Sequence, residues 1–597
     1  MSRRLSALHV GNFKAFADTQ RIPLKPITLV FGPNSAGKSS FIHSLALAHE
    51  AQFGREKRGR ARLDVHHTEI GGSAIDLGGY RQFVHRGQLR NGVEWGAELK
   101  VSELGDAPRY RQLKQLLSTV ETIALNITLG VVLDDEDRPV KGAPPHIRTM
   151  EILADGVELL RMSRRPGEDA SDKYAAEFAQ ALKRDGNQVV RNLSSAGISP
   201  NELASIAKEE IKRREGDLEE RAFQTMRIDR LDSDHAVLRQ VIQTIVETQT
   251  FALGARDQEI QEALGELLSR LEVRVDNFLP SGVVIPDSEA KAANDVAEAL
   301  GFWLPRTLND LIKGLSDVFA WELKQLQYLG PLRSFPARHL AFAEQEDSNW
   351  YAGGGYAWDV VRNDEKVRKA VNAWLGKDML KTPYELRIKE LVNYQQVEDI
   401  QVEAQDSWEF SDESDPESDT RSYEEIVRDD YTTYESVLVD NALGEDRIEV
   451  INELVLMDVR KNTIVTHRDV GIGISQVLPV LVMAYASRNK LLAMEQPEIH
   501  LHPALQAELA DVFVESTLGE RKNTFILETH SEHLILRLLR RVREGRLSPN
   551  DLSVLYVQPT ESGSTVLEVR VDEDGDFIDR WPGGFFEEAF DEREAGR

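Results

Sequence analysis

Cysteine is absent from the 597 residues, which excludes disulfides, thiolate nucleophiles and cysteine-held zinc. No apolar run reaches the roughly 18–20 residues that a membrane helix needs, so no membrane partner is expected. Met1 to Val10 carries two arginines but neither an apolar core nor a small-residue cleavage site. It reads as the start of a strand, and a cytoplasmic protein is expected. Positive charge is in deficit: 72 Lys and Arg face 100 Asp and Glu, a formal net charge of -28. That balance opposes nucleic-acid binding over the whole surface, while leaving room for a local basic patch. Arg55, Lys57, Arg58, Arg60 and Arg62 form one such cluster, for which a solvated loop is the plainer reading. What remains is ordinary for a globular chain, with 41% hydrophobic and 29% charged residues. The length exceeds one ordinary core, so a large domain with substantial insertions is expected.

The first informative stretch is Ile27 to Phe31, a short β-branched and apolar run that suits a buried strand. It leads directly into Gly32, Pro33, Asn34, Ser35, Ala36, Gly37, Lys38 and Ser39, and Ser40 to Ala48 then reads as a helix. Strand, glycine-bounded loop, Lys-Ser and helix together make the full context of a phosphate-binding loop. Gly32 and Gly37 let the backbone curl so that successive N–H groups point at phosphates. Lys38 supplies a compact cation for the β/γ-phosphates, Ser39 a hydroxyl for magnesium, and the helix N-terminus its positive dipole end.

Before this loop, Leu8 to Phe16 alternates weakly and runs on to Ile22 and Leu24, as a hairpin feeding the strand would. The segment from Gly11 to Phe16, followed by Ile27 to Ser40, resembles the opening of RecF-like, OLD-family and SMC-related ABC ATPases. The resemblance covers roughly residues 1–100 and 320–597. It implies ATP and Mg2+ as cofactors and an α/β fold: an ABC-type P-loop NTPase head, a mixed sheet with flanking helices, carrying a helical insertion.

The matching pieces lie far along the chain. Leu491 to Met494 reads as a strand ending in Glu495, Gln496, Pro497 and Glu498, similar to the Walker B strand of those families. Glu495 then takes the magnesium role, since an acid at a strand end holds the ion, usually through a water. Thr524 to Ser531 resembles the switch-histidine loop, which puts His530 at the γ-phosphate or the attacking water. Asp469 to Gln476, with Gly473 and Ser475, is similar to the degenerate ABC signature, opening a helix that runs from Val477 to Ala486. That element implies an ATP sandwich in a homodimer or higher oligomer, one protomer's signature capping the nucleotide on its partner's loop. Gln82 falls where these ATPases carry their Q-loop, with a plain strand-edge turn as the equal alternative. Arg333, within Tyr328 to Phe335, is a weaker candidate for a phosphate contact.

One departure bears on catalysis. Most ABC ATPases follow the Walker B acid with a glutamate that polarises water, and Gln496 stands there. An amide orients a water but accepts no proton from it. Either Glu498 or another carboxylate is the base, or the site hydrolyses ATP slowly by design.

The domain plan that follows is 1–165 for the N-terminal part of the head, 166–320 for a charged helical insertion and 321–597 for the C-terminal part. Within the last, 396–435 reads as an acidic loop, because the carboxylates from Asp406 to Asp419 repel one another and bury little. Val120 to Leu133 and Met150 to Leu160 read as strands, and Asp172 to about Asn277 as helical. No sustained heptad appears there, which argues against long coiled-coil arms. Ser553 to Gln558 and Ser564 to Val571 make a hairpin, and Trp581 to Phe586 an apolar knot that docks the tail. His66 and His67, and His500 with His502, lack a third ligand at metal-site spacing. Roughly 65 residues follow His530, too few for the Toprim nuclease domain of OLD-family nucleases. A nucleotide-gated sensor or scaffold for a separately encoded effector, as in prokaryotic anti-phage systems, is therefore the expected role. A RecF-like maintenance ATPase that binds DNA directly is the alternative, and a transport subunit fits neither the split motif order nor the insertions.

Overall fold

The computed structural model describes residues 5–54, 68, 70–72, 74–105, 108–134, 138, 145–164, 224–249, 257–284, 294–333, 350–376, 379, 381–392, 394–407, 428, 431–434, 436–438, 441, 450–465 and 472–582. The basic cluster at Arg55–Arg62, His66, His67, most of the acidic stretch and 165–223 lie outside these residues. The chain divides into two compact units. One comprises Met1–Leu332, Tyr351–Gly353 and Ser487–Arg597, and the other Arg333–Trp350 and Gly354–Ala486.

The first ten strands belong to the first unit: β1 (Leu5–Gly11), β2 (Gln20–Pro23), β3 (Ile27–Phe31), β4 (Val93–Lys100), β5 (Thr122–Gly130), β6 (His146–Ala154), β7 (Val157–Ser163), β8 (Gln224–Leu231), β9 (Glu272–Asp276) and β10 (Leu279–Val284). All but β3 join one nine-stranded sheet in the order β10-β9-β8-β7-β6-β5-β4-β1-β2. Every neighbouring pair in it is antiparallel. The sheet thus extends through β8 and β9, inside the stretch whose sequence reads as helical. Met226 and Ile228 are buried there while Arg227 and Asp229 are less so, the period of two that a half-buried strand requires. Among the described residues of that stretch, Ala236–Gln249 and Asp257–Arg270, between those strands, are helical.

The 30-residue helix Asp295–Lys324 packs against these two helices and against Lys38–Phe53. It starts at Asn294, whose Oδ1 accepts the Ala297 N–H at 2.8 Å, and its buried stripe runs through Leu300, Leu304, Leu308, Leu311 and Leu315. Each such leucine contributes about 1.5–3 kcal/mol by leaving water.

The later strands are β11 (Leu326–Leu329), β12 (Tyr384–Val392), β13 (Val450–Asp458), β14 (Thr463–Val465), β15 (Leu491–Glu495), β16 (Thr524–Glu528), β17 (Leu552–Pro559) and β18 (Ser564–Glu568). The second unit holds the antiparallel meander β12-β13-β14 and the helices Tyr356–Asn363, Glu365–Leu375 and Ile472–Ala486. In the first unit a second sheet runs β11-β15-β16-β3-β17-β18. Its first five strands are parallel, and β18 returns antiparallel to β17. Every residue of β3, β15 and β16 is buried, the near-continuous apolar run expected of parallel strands covered on both faces. This mixed α/β architecture carries the glycine-bounded loop at the carboxyl end of β3, where the sequence places a P-loop. Trp581 is buried against Phe31, Tyr556 and Phe577, over the carboxyl ends of β3 and β17, while residues 583–586 of the expected apolar knot lie outside the described residues.

One detail of the order positions the site. Strand β16 lies between the P-loop strand β3 and the carboxylate strand β15. In parallel sheets ligands collect outside the carboxyl ends of the strands. At that edge Glu495 and Glu528 are register partners, beside the loop that leaves β3.

Candidate active site

The loop after β3 is built on two glycines that no other residue can replace without movement. Gly32 has φ +143° and a Cβ there would lie 2.4 Å from the Val557 carbonyl oxygen. Gly37 has φ +98° and a Cβ would lie 2.2 Å from the Ala15 Cβ. Ser564 Oγ donates to the Ala36 carbonyl at 2.6 Å, tying the loop to β18. The helix Lys38–Phe53 begins immediately after Gly37.

A cleft of about 310 Å³ opens over this loop. Asn34, Ser35, Gly37, Lys38, Ser39 and Ser40 line one side, and Gln496, Glu528 and His530 another. The Lys38 ammonium donates to the Gly32 and Pro33 carbonyls at 3.1 and 2.9 Å. Burial holds its pKa below the ordinary lysine value, against the pull of Glu528 and Glu495. Ser39 Oγ donates to Glu528 Oε2 at 2.7 Å.

Glu495 is buried and accepts the Tyr328 hydroxyl at 2.9 Å. His43 Nε2 lies 3.3 Å from the same carboxylate. Lys14 Nζ is 2.6 Å from His43 Nδ1. An ammonium only donates, so Nδ1 accepts and the other ring nitrogen carries the proton toward Glu495. Burial opposes the charge on Glu495, but hydrogen bonds from His43, Tyr328 and Ser39 outweigh it and keep the pKa below the usual carboxylate value. Lys14 itself is lowered to about 8, chiefly by burial.

Behind these groups, backbone bonds lock two segments together. Gln496 N–H donates to the Glu528 carbonyl at 2.8 Å, with Gln496 in the left-handed region at φ +45°. The His530 N–H donates to Glu498 Oε1 at 2.8 Å. Burial and the nearby Lys38 charge both lower the His530 pKa, which favours the neutral ring. Its Nε2 is buried and has no hydrogen-bond partner among the described residues.

Lys38, Ser39, Gln496 and His530, singled out in the sequence, therefore line one cleft; Glu495 is buried beside it against His43, and Glu498 holds the histidine backbone. Gln82 sits elsewhere in the first unit, its Oε1 accepting the Gly79 N–H at 2.8 Å as the cap of a four-residue helix. Gly473 and Ser475 belong to the second unit, in the first turn of Ile472–Ala486; Asp469 to Gly471 lie outside the described residues. In that unit Arg333 is buried and donates to the Gln476 carbonyl at 2.7 Å, so it braces the helix Ile472–Ala486. His502 caps the helix Pro503–Leu518 through Nδ1.

Sequence reasoning missed Glu528, Tyr328, His43 and Lys14. For Glu528 a signal existed: Thr524–Glu528 repeats the form of Leu491–Glu495, an apolar strand closed by a glutamate. Burial, then the neighbouring Glu495, push its pKa up to about 7. The folded pKa lies above the unfolded one, so the stabilisation is full below about 4.5 and is lost as pH rises through about 7. A shift of that size is on the order of 3 kcal/mol. Metal-free protein should therefore melt at progressively lower temperature from pH 5 to pH 8, and Glu528→Gln should flatten the profile. Parallel profiles for the two proteins would contradict the coupling of the two acids.

The donor set suits a nucleotide with magnesium. Among the described residues no three His, Cys, Asp or Glu side chains form a cage. Magnesium needs none, because it is commonly held by one or two carboxylates and completed by phosphate oxygens and water.

Comparison with known proteins agrees with a P-loop ATPase. Residues 320–537 match the family described as "AAA domain, putative AbiEii toxin, Type IV TA system". Residues 7–272 match one described as "AAA domain", and 547–595 one described as "Protein of unknown function (DUF3696)". No curated protein sequence matches the chain. Distant likeness extends to an Smc head bound to the C-winged helix domain of ScpA, at 10% identity and a TM-score of 0.33 over 95% of this chain and 98% of that one. An Smc head with an extended coiled coil, bound to the C-terminal domain of ScpA derived from Pyrococcus furiosus, gives 10% identity and 0.31 over 99% and 98%. The SMC head domain from Thermotoga maritima gives 8% identity and 0.29 over 95% and 100%.

Proposed function

We propose that this AAA-type P-loop ATPase is a slow, magnesium-dependent ATP hydrolase whose nucleotide state gates a homodimer or higher oligomer. In this reading it is the sensor or scaffold for a separately encoded effector in prokaryotic anti-phage defence. One observation carries the slow-clamp reading: Gln496, an amide, lines the cleft beside Lys38, Ser39 and His530 where a proton-accepting carboxylate would speed hydrolysis. The toxin of a toxin–antitoxin system named in the matched family's description supports a partner-controlled role in a prokaryote.

The chain's groups divide the work as follows. Backbone N–H groups of the Gly32–Gly37 loop and the Lys38 ammonium hold the triphosphate. Ser39 and Glu495 hold magnesium, which when bound neutralises charge on the β- and γ-phosphates. Tyr328 and His43 fix the Glu495 carboxylate, so it is aimed before the ion arrives. Neutral His530 keeps a ring nitrogen for the γ-phosphate or the attacking water, its backbone anchored by Glu498. Gly473 and Ser475 cap the nucleotide of a partner protomer.

Light scattering tests the gating. Wild type should double its mass or more with ATP and Mg2+; Ser475 is buried, so Ser475→Arg counts only with a thermal melt and far-UV spectrum matching wild type, and should then stay monomeric. A wild type that remains monomeric with ATP ends the dimer reading. ATP-driven dimers of the variant would remove Ser475 from the interface.

A further inference from the structure

A hydroxyl at the start of the P-loop helix conventionally answers to one acid, at the end of the Walker B strand. Here the hydroxyl of Ser39, near enough to Glu495 to help hold its charge, is also bonded to an acid on a different strand. Its Oγ donates to Glu528 Oε2 at 2.7 Å, while the Glu495 Oε1 that this reading assigns to magnesium accepts from Tyr328 at 2.9 Å. Glu495 and Glu528 are register partners on parallel β15 and β16, so both side chains leave the sheet toward the same face. Both are nearly inaccessible, at 7% and 5% exposure.

Two carboxylates placed side by side in a buried setting repel each other unless a cation compensates them. Lys38 answers only in part, because its ammonium is hydrogen-bonded to the Gly32 and Pro33 carbonyls. The divalent cation that accompanies a nucleotide is the chemical complement of such a pair, and two carboxylates with a hydroxyl remain within what magnesium accepts.

We propose that Glu528 is a second carboxylate of the magnesium site, sharing the ion with Ser39 and Glu495. The proposal rests on the nucleotide-binding reading above and adds a ligand that the sequence motifs do not assign. It also accounts for the position of the charge: 496 carries a neutral amide while 528, joined to it by the Gln496 N–H to Glu528 carbonyl bond, carries the acid. The alternative, that Glu528 takes the proton of the attacking water, fits less well. Its carboxylate is committed to the residue at the magnesium position, and the unpartnered ring nitrogen in the cleft is that of His530.

The experiment is a titration of Mg2+ into full-length protein holding a fluorescent, non-hydrolysable ATP analogue, with analogue affinity also measured in EDTA. Manganese binding followed by electron paramagnetic resonance reports the ion directly. Glu528→Gln, which keeps the shape and the Ser39 contact, should raise the Mg2+ half-saturation by about tenfold or more. Analogue affinity in EDTA should stay level or tighten, because a negative charge has left the phosphate site. Glu528→Asp, which keeps the charge, should fall between the two. An unchanged Mg2+ and Mn2+ response overturns the proposal: with single-turnover hydrolysis lost, Glu528 is the proton acceptor, and with hydrolysis intact it is a structural acid. Failure of wild type to bind the analogue would instead bring down the nucleotide reading itself.

Discussion

Lys38→Ala is expected to lower ATP turnover by at least about 100-fold, the size of effect seen when one positioned charge donor is removed from a developing anion. The side chain is 5% exposed and its ammonium lines the cleft beside Ser39 and Glu528. A buried cation with its pKa already lowered by burial gains most from a polyanion, since the phosphates return the stabilisation that water no longer gives. The same substitution removes two hydrogen bonds to loop carbonyls. Thermal melts of Lys38→Ala and Lys38→Arg separate that loss from the loss of charge. Turnover unchanged in a folded Lys38→Ala protein would sink the assignment of the loop.

The second large effect runs the other way. Gln496→Glu should accelerate single-turnover hydrolysis by about 100-fold, the lower end of what a positioned general base supplies. Gln496 lines the cleft, and its backbone is pinned to the Glu528 carbonyl, so the new carboxylate enters without rebuilding the loop. Protein and magnesium in excess over ATP confine the measurement to the chemical step. A matching or slower rate would move the search for the base to Glu498. That residue already spends Oε1 on the His530 N–H, so Glu498→Gln would then show whether it acts on water or on the loop.

Much of this site was legible because its chemistry is local in sequence. The P-loop needs a strand, two glycines, Lys38 and a helix in one short run, and each declares itself by residue type. Glu495 and His530 were legible as the acid at a strand end and the histidine after a strand. Glu528 was passed over because attention to its neighbour His530 absorbed the motif, and because its meaning depends on β16 lying between β3 and β15. Strand order of that kind comes from pairing across hundreds of residues, which no local pattern records. Tyr328 and Arg333 show the same limit. They stand five residues apart in one segment, yet the tyrosine reaches Glu495 and the arginine reaches the helix Ile472–Ala486. In the fold, β5 was legible in Val120 to Leu133 and β17 with β18 as a hairpin, whereas Met150 to Leu160, read as strand, holds the end of β6, a turn at Asp155 and Gly156 and the start of β7. Strand β8 was hidden in charged surroundings, where only Met226 and Ile228 mark its inner face.

The placement of β3 has a consequence for how the protein is made. Residues 27–31 are made long before their two sheet neighbours, which are Thr524–Glu528 and Leu552–Pro559. Until those segments are made, this largely apolar strand has both edges open, a state that invites wrong pairing or capture by a chaperone. A chain stopped anywhere before β17 lacks one neighbour of its own P-loop strand, and such fragments should be cleared by proteases.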